Sequence, residues 1–273
     1  MSTVPLGTGP PTRAEMAAYY PPLFTFDQLR AFIASGDLAL LKRHKALQER
    51  YNLWIAAIQV EYGSTVNYLL NHRLQWGKPD TISLLGPPFP ADLGAVNSPL
   101  AQLPPTPAGL DLAPPYFSSA APEEYLSIIT NDWPYSVPPD VTHTIVWTRL
   151  PIFHPLLVTP DIEARVNQDG LVGFTGGAED PPLPSLDECL EALADWGVTK
   201  EKMIVSEKGT EAEEAAMRSA GRPVHEFVKT RWPEEEWETA WFVNPPRLQS
   251  VPGLAHVHVF AQRKTPSTTK ESE

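Results

Sequence analysis

Two histidines one residue apart, His256 and His258, stand in a segment with the alternation of a β-strand. In Leu254–Gln262 the apolar Ala255, Val257, Val259 and Ala261 alternate with His256, His258, Phe260 and Gln262. Alternate side chains of a strand share a face, so both imidazoles are expected to point the same way. A neutral imidazole can attack phosphorus or move protons near pH 7, and a strand holds it rigidly. A pair of hydrogen-bonded structural histidines is the plainer explanation of the same pattern. A metal site finds little support nearby: no Asp or Glu lies between His258 and Lys270, and no cysteine is near. His143 is a distant third candidate ligand that nothing in the spacing demands. Neither a metal nor a cofactor is expected.

The approach to this segment is polar and rich in proline. Asn244, Gln249 and Ser250 would bind phosphate oxygens or orient an imidazole; the same residue types also cap turns. Arg263, with Arg247 and Lys264, would supply charge to an anion, although lone basic residues at strand ends are usually solvated. A second polar and aromatic concentration lies at Asn131-Asp132-Trp133-Pro134-Tyr135 and His143-Thr144-Ile145-Val146-Trp147. There Asn131 and His143 extend the candidate ligand-binding set, and Tyr135 and Trp133 would stack on a base or sugar, or else pack the core. Glu234-Glu235-Glu236 reads as the acidic first turn of a helix, and Trp232, Trp237 and Trp241 as a core stripe. The chain has no Gly-x-x-x-x-Gly-Lys, Gly-x-Gly-x-x-Gly or Gly-x-Ser-x-Gly motif.

Composition limits what these residues can serve. The formal charge of −12 argues against a broad nucleic-acid-binding surface, because phosphate neutralisation needs clustered Lys and Arg. A small phosphorylated ligand in a local pocket remains compatible with it. The one basic cluster, Lys42-Arg43-His44-Lys45, reads as the solvated face of a helix. No apolar run is long enough for a bilayer, and the first residues lack the apolar core of a secretory signal. Cys189 is the single cysteine, which excludes an intramolecular disulfide and a cysteine metal cage. The cytoplasm is the expected location, with the nucleus also open.

Secondary-structure signals divide the chain into five stretches. Residues 1–22 read as a disordered tail and 23–76 as a helical region. Residues 77–121 read as a Pro-rich connector, 122–264 as an α+β domain and 265–273 as a second disordered tail. Within 23–76 a short helix over Phe26–Ala34 stops near Gly36. A long amphipathic helix then runs from Asp37 to about Leu74, with Gly63-Ser64 as a bend or break and Tyr51, Trp54 and Tyr62 as core. Pro122–Thr130 reads as a short helix, His143–Thr148 as a strand, and Leu171–Phe174 as a strand closed by Gly176-Gly177. Ser185-Leu186-Asp187-Glu188 is a capping box opening a helix that Gly197 stops. Thr210-Glu211-Ala212-Glu213 is another, its helix ending before Gly221. Pro223–Arg231 and Pro233–Trp241 continue as helices.

Four blocks carry a resemblance over nearly the whole chain: FTFDQLRAFIASGDL, YNLWIAAIQVEYGSTVNYLLNHRLQW, NDWPYSVPPDVTHTIVWTRLPI and WFVNPPRLQSVPGLAHVHVFAQ. They resemble the fungal N-acetylglucosamine-induced protein family, an uncharacterised domain. That resemblance implies an intracellular fungal protein and no established reaction. A local resemblance runs through Gln249-Ser250-Val251, His256-Val257-His258-Val259 and Arg263, which is similar to the histidine-triad superfamily of nucleotide hydrolases and transferases. It implies His256 as the nucleophile, His258 as the third histidine, and Asn244 and Ser250 on the phosphate side. Tyr135 through Arg149 also resembles that family's preceding turn and strand. The sequence departs from the pattern at Leu254, where the first histidine would stand, at Leu248 in place of a glycine, and by one extra residue between Val251 and His256.

The expectation is an α+β protein: an N-terminal helical region, a Pro-rich connector, and a C-terminal antiparallel sheet with helices, histidine-triad-like. Its expected activity is phosphoryl or nucleotidyl hydrolysis or transfer on a small nucleotide or sugar nucleotide, with His256 and His258 catalytic. The alternative is a non-catalytic ligand-sensing or protein-interaction module in amino-sugar responses.

Overall fold

The structure is a computed structural model and describes residues 4–81, 114–177, 182–204, 206–249, 251 and 254–265. Its centre is a sheet of six strands in the order β1-β2-β3-β6-β5-β4. These are β1 (Lys78–Thr81), β2 (Leu126–Thr130), β3 (Val141–Thr148), β4 (Leu171–Thr175), β5 (Trp237–Val243) and β6 (Ala255–Arg263). β1 pairs with β2 in parallel, and all other pairs are antiparallel. The fold is therefore α+β, with helices towards the N-terminus and the sheet towards the C-terminus.

β3 and β6 sit in the middle and are buried on both faces. One face carries Val146, Val257, Val259, Trp241 and Val243. It packs on α5 (Pro160–Asp169) and on α7 (Glu211–Arg231) through Ile162, Val166, Val224 and Val228. The other carries Val141, Ala240, Phe242 and Phe260, packed on Leu29, Phe32 and Ile33 of α2 (Phe26–Ala34) and on Cys189 and Leu193. Those last two belong to α6 (Leu186–Cys189) and its 3-10 continuation Leu190–Trp196, which Gly197 ends in the left-handed conformation. The helical region 23–76 thus shares its core with the sheet. Burial of both faces explains why the polar half of β6 is histidine and phenylalanine instead of charged residues.

Several segments differ from the sequence expectation. Residues 4–22 carry α1 (Arg13–Tyr19), opened by a Thr12 capping box. Its Glu15 is buried against Arg50 at 2.8 Å and accepts from the Gly7 and Thr12 amides at 2.7 Å each. A buried ion pair reaching across 35 residues has no local sequence signature. The expected helix Asp37–Leu74 divides into a 3-10 turn Leu38–Leu40, an irregular stretch 41–44, and α3 (Lys45–Tyr62). After Gly63 comes α4 (Thr65–Tyr68), which runs into a π turn Leu69–Arg73. Pro122–Thr130 is a single 3-10 turn, Glu123–Tyr125, followed by β2, whose adjacent isoleucines favour strand.

The segment 233–241 is a turn followed by β5. Trp237 and Trp241 lie four apart, a spacing that satisfies both a helical face and a strand face, so the periodicity did not discriminate. α7 continues through Gly221 and Pro223 as one helix of 21 residues. A Cβ on Gly221 would come within 3.1 Å of the Trp241 ring and one on Gly173 within 2.4 Å. Both glycines are explained by the close passage of that indole. Within the expected connector, Lys78–Thr81 forms β1, while 82–113 lies outside the described residues, as does 266–273 of the expected C-terminal tail. Among the described residues no helix is long and apolar enough to cross a membrane.

Burial alone would raise the Glu15 carboxyl, but the Thr12 and Gly7 amides and Arg50 hold it down at about 2, against an ordinary 4.5. A depressed folded-state pKa contributes stability that is complete above 4.5 and is lost as pH falls through 2. Glu15→Gln is expected to cost on the order of 2 kcal/mol at neutral pH and to flatten stability against pH between those limits. Urea unfolding of both proteins across that range checks this. Parallel pH curves would contradict it.

Candidate functional site

The antiparallel register of β3 and β6 pairs Trp147 with His256, Ile145 with His258 and His143 with Phe260. All six side chains fall on the face turned towards the N-terminal helices, so the strand geometry adds His143 to the two histidines of β6. All three imidazoles are buried. The His143 Nε2 lies 3.0 Å from the His258 Nδ1.

Neighbouring groups decide which nitrogens carry protons. The Tyr135 backbone N–H donates to His143 Nδ1 at 3.3 Å, so that nitrogen accepts and Nε2 bears the hydrogen. His143 Nε2–H then donates to His258 Nδ1, which leaves the His258 proton on Nε2. The Asn244 side-chain Nδ2 is placed 3.3 Å from this nitrogen, and a proton on His258 Nε2 requires that amide to be turned so that its Oδ1 accepts. Asn131 lies against the His143 ring, with its Oδ1 accepting from the Trp133 amide at 3.0 Å. Both nitrogens of His143 and of His258 are therefore engaged.

His256 differs. Its Nδ1 is 2.9 Å from the Leu254 carbonyl, which can only accept, so Nδ1 carries the proton. Its Nε2 has a lone pair and no hydrogen-bond partner among the described residues. The ring packs on Trp147 at 4.5 Å and meets the His258 ring edge-on at 5.1 Å. Leu254 occupies the place where the resemblance called for a histidine, and its backbone carbonyl sets the tautomer of His256.

Burial, with a smaller contribution from Arg43, pushes His143 well below its ordinary 6.5. His258 is also well below, from burial first and then the neighbouring His256, His143 and Arg43. His256 is lowered by burial, with the Leu254 bond pulling the other way. All three are neutral at pH 7.

His256 and His258 line a cavity of about 490 Å³ between the sheet and the N-terminal helices. Asn131, Tyr135 and Asn244 line it too, and Tyr51, Trp54, Tyr68, Trp133, Trp147 and Trp196 make its walls largely aromatic. Asp132 reaches it while gripped by Arg73 at 2.6 and 2.9 Å. Burial and the Asp132 charge push the Tyr68 hydroxyl up to about 12, so it is a protonated donor. Gln249 donates to the Asn244 carbonyl at 3.3 Å and so braces the turn before β6. Ser250 lies outside the described residues. Arg263 is not brought into the cavity: it is exposed at the far end of β6, paired with Glu236 at 2.9 Å. Among the described residues no group of three or more His, Cys, Asp or Glu is placed to hold a metal ion.

Sequence reasoning missed Arg43 and Lys42, which were expected on a solvated helix face. Both precede α3 and line the cavity. The Arg43 Nε donates to the Trp133 carbonyl at 2.8 Å, and its guanidinium lies 4.7 Å from the Tyr51 ring and 5.2 Å from the Tyr135 ring. Lys42 stands 5.2 Å from the Trp196 ring. Apart from that to Tyr51, these contacts are 90 or more residues distant in sequence, so no spacing pattern could announce them.

A family model described as "Protein of unknown function (DUF3605)" matches residues 25–166 and 194–262, and the chain belongs to that family. No curated protein matches the chain. One solved structure, the crystal structure of HTC1, is similar over 88% of this chain and 85% of that chain, at 19% sequence identity and a TM-score of 0.39.

A folded state that keeps its histidines neutral binds fewer protons than the unfolded chain below pH 6.5. Stability is therefore unaffected by these groups above that value and falls as pH drops below it. Each such histidine contributes a slope of about 1.4 kcal/mol per pH unit until its folded pKa is reached. Replacing one of them, in His143→Gln, should make the loss between pH 6.5 and 5 shallower. Chemical denaturation at half-unit pH steps reads this, and an identical slope in the variant would contradict the neutral assignment.

Proposed function

We propose that this member of the DUF3605 family is a hydrolase or transferase acting on a small nucleotide or sugar nucleotide through a histidine nucleophile. One observation carries the reading: the Leu254 carbonyl fixes the His256 proton on Nδ1, which leaves a neutral Nε2 lone pair on a residue that lines the cavity. In this reading Nε2 attacks the α-phosphorus. An N–P bond forms as the P–O bond to the leaving group breaks, and the electron pair departs on that oxygen and takes a proton from solvent. Water then cleaves the N–P bond, releasing the phosphorylated product and restoring the imidazole.

His258, held by His143 and Asn244, acts as a positioning residue that keeps the His256 ring at its edge-on angle. Gln249 and Ser250 would contribute donors to the phosphate or the leaving group, with Gln249 released from the Asn244 carbonyl. Asn131 and Tyr135 complete the ligand wall. The likeness of the Gln-Ser-Val and His-Val-His segments to histidine-triad proteins supports the same assignment. The likeness to N-acetylglucosamine-induced proteins supports an amino-sugar setting in the cytoplasm or nucleus. The reaction as written draws on no metal or cofactor.

The second reading is a ligand-sensing or interaction module without turnover. It is favoured by α3, which leaves Leu53 and Val60 exposed at 77% and 88% on one helical face seven residues apart, as a partner-binding helix would.

The test uses dinucleoside polyphosphates and UDP-sugars as substrates. The wild type is expected to release product and to show a nucleotidyl adduct on His256 by mass spectrometry. His256→Ala should lose both, with a fall in kcat of roughly 10³-fold or more. Binding without turnover, unchanged in His256→Ala, would overturn the catalytic reading in favour of the sensor.

A further inference from the structure

The cavity's charge runs against that of the chain. The protein carries −12 overall, yet the cavity is lined by two cations, Lys42 and Arg43, and by one carboxylate, Asp132, among the described residues. Asp132 is already neutralised, with Arg73 bound to both its oxygens. The two cations are not. Arg43 gives its hydrogen bonds to uncharged groups, the Trp133 carbonyl at 2.8 Å and the Gln48 side chain at 2.9 Å.

Lys42 forms no ion pair among the described residues and rests over the Trp196 ring. The acid nearest in charge to it, Asp37, accepts from the Ala39 and Ile204 amides at 3.2 and 2.9 Å. Partly desolvated positive charge without a counter-ion is costly, and an anion entering the cavity relieves that cost.

We propose that Lys42 and Arg43 form the anion-binding end of the cavity, and that its ligand is a nucleoside phosphate whose phosphate sits at this pair. The aromatic walls account for the nucleoside part, because planar rings stack with little regard to sequence or base identity. The Arg43 charge is felt at both His143 and His258, which places the anion end beside the imidazole face. This deepens the proposed function by assigning the phosphate-holding groups to the N-terminal helical region, outside the segment that carries His256. It rests on the cavity as the ligand site and stands apart from whether His256 turns the ligand over.

Calorimetry with AMP, UMP, adenosine, uridine and inorganic phosphate tests it. The wild type should bind at least one nucleotide tenfold or more tighter than the matching nucleoside, with the preference shrinking as salt rises. Lys42→Gln/Arg43→Gln should bring nucleotide and nucleoside to equal affinity. Arg43→Lys, which keeps charge but loses the fork to Trp133 and Gln48, should retain much of the preference, and Lys42→Gln alone, which breaks no hydrogen bond, should lose part of it at an unchanged melting temperature. Equal binding of nucleotide and nucleoside by the wild type would overturn the proposal. So would absence of nucleotide binding, a preference that survives the double substitution, or free phosphate binding as tightly as the nucleotide. His256→Ala separates the two claims: it should keep the nucleotide preference even where it abolishes turnover.

Discussion

The contact on which the site depends is the hydrogen bond of 3.0 Å between His143 and His258, made across the two central strands. It exists because β3 and β6 pair antiparallel in the register that sets His143 opposite Phe260 and Ile145 opposite His258. A slip of β6 by one residue would turn His256 and His258 to the valine-lined face against α5 and α7 and leave His143 behind. With the register fixed, the proton positions follow in sequence from the Tyr135 amide to His143, from His143 to His258, and from His258 to Asn244. Burial makes those positions durable, since a charged imidazole there would lose its solvation and face Arg43. His256 is the member left over, with one nitrogen tied to a carbonyl and the other open.

The second constraint is the closure of the cavity. A histidine-bearing sheet face by itself would be a flat, wet surface. Here α3 and α4 stand over it with Tyr51, Trp54 and Tyr68, and the turn before α3 brings in Lys42 and Arg43. Glu15 of α1 grips Arg50 of α3, and Asp132 grips Arg73 at the end of the π turn that follows α4. Two buried ion pairs thus tie the helical layer together and to the turn that follows β2. Such pairs add modest net stability but are strongly specific in geometry, which suits elements whose task is to hold a wall at a set distance from the imidazoles.

Much of the sheet face was legible in the sequence because strand periodicity is local. The alternation through His256 and His258, the strand at His143, and the polar residues Asn131, Tyr135, Asn244 and Gln249 are local signals; of these Asn131, Tyr135, Asn244, His256 and His258 line one cavity, with His143 behind His258 and Gln249 behind Asn244. What was illegible required long-range knowledge. Arg43 looks like any surface cation until the Trp133 carbonyl, ninety residues on, is known to receive it. Trp237 and Trp241 fit helix and strand equally, so their spacing predicts a helix where the chain forms β5. The side chain of Leu254 departs from the histidine-triad pattern, whereas its contribution to His256 comes from its carbonyl, which every residue type provides. Arg263 illustrates the reverse: correct type and spacing, but the strand carries it past the cavity to Glu236.

The central claim is that His256 is neutral at pH 7, with its proton on Nδ1 and a free lone pair at Nε2. Nitrogen-detected NMR of the imidazole side chains measures this directly, with His256→Gln supplying the assignment. The account predicts one histidine whose Nδ1 bears a slowly exchanging proton and whose Nε2 has the shift of an unprotonated ring nitrogen, moving when AMP is added. A His256 found as the Nε2–H tautomer, or doubly protonated at pH 7, would contradict it.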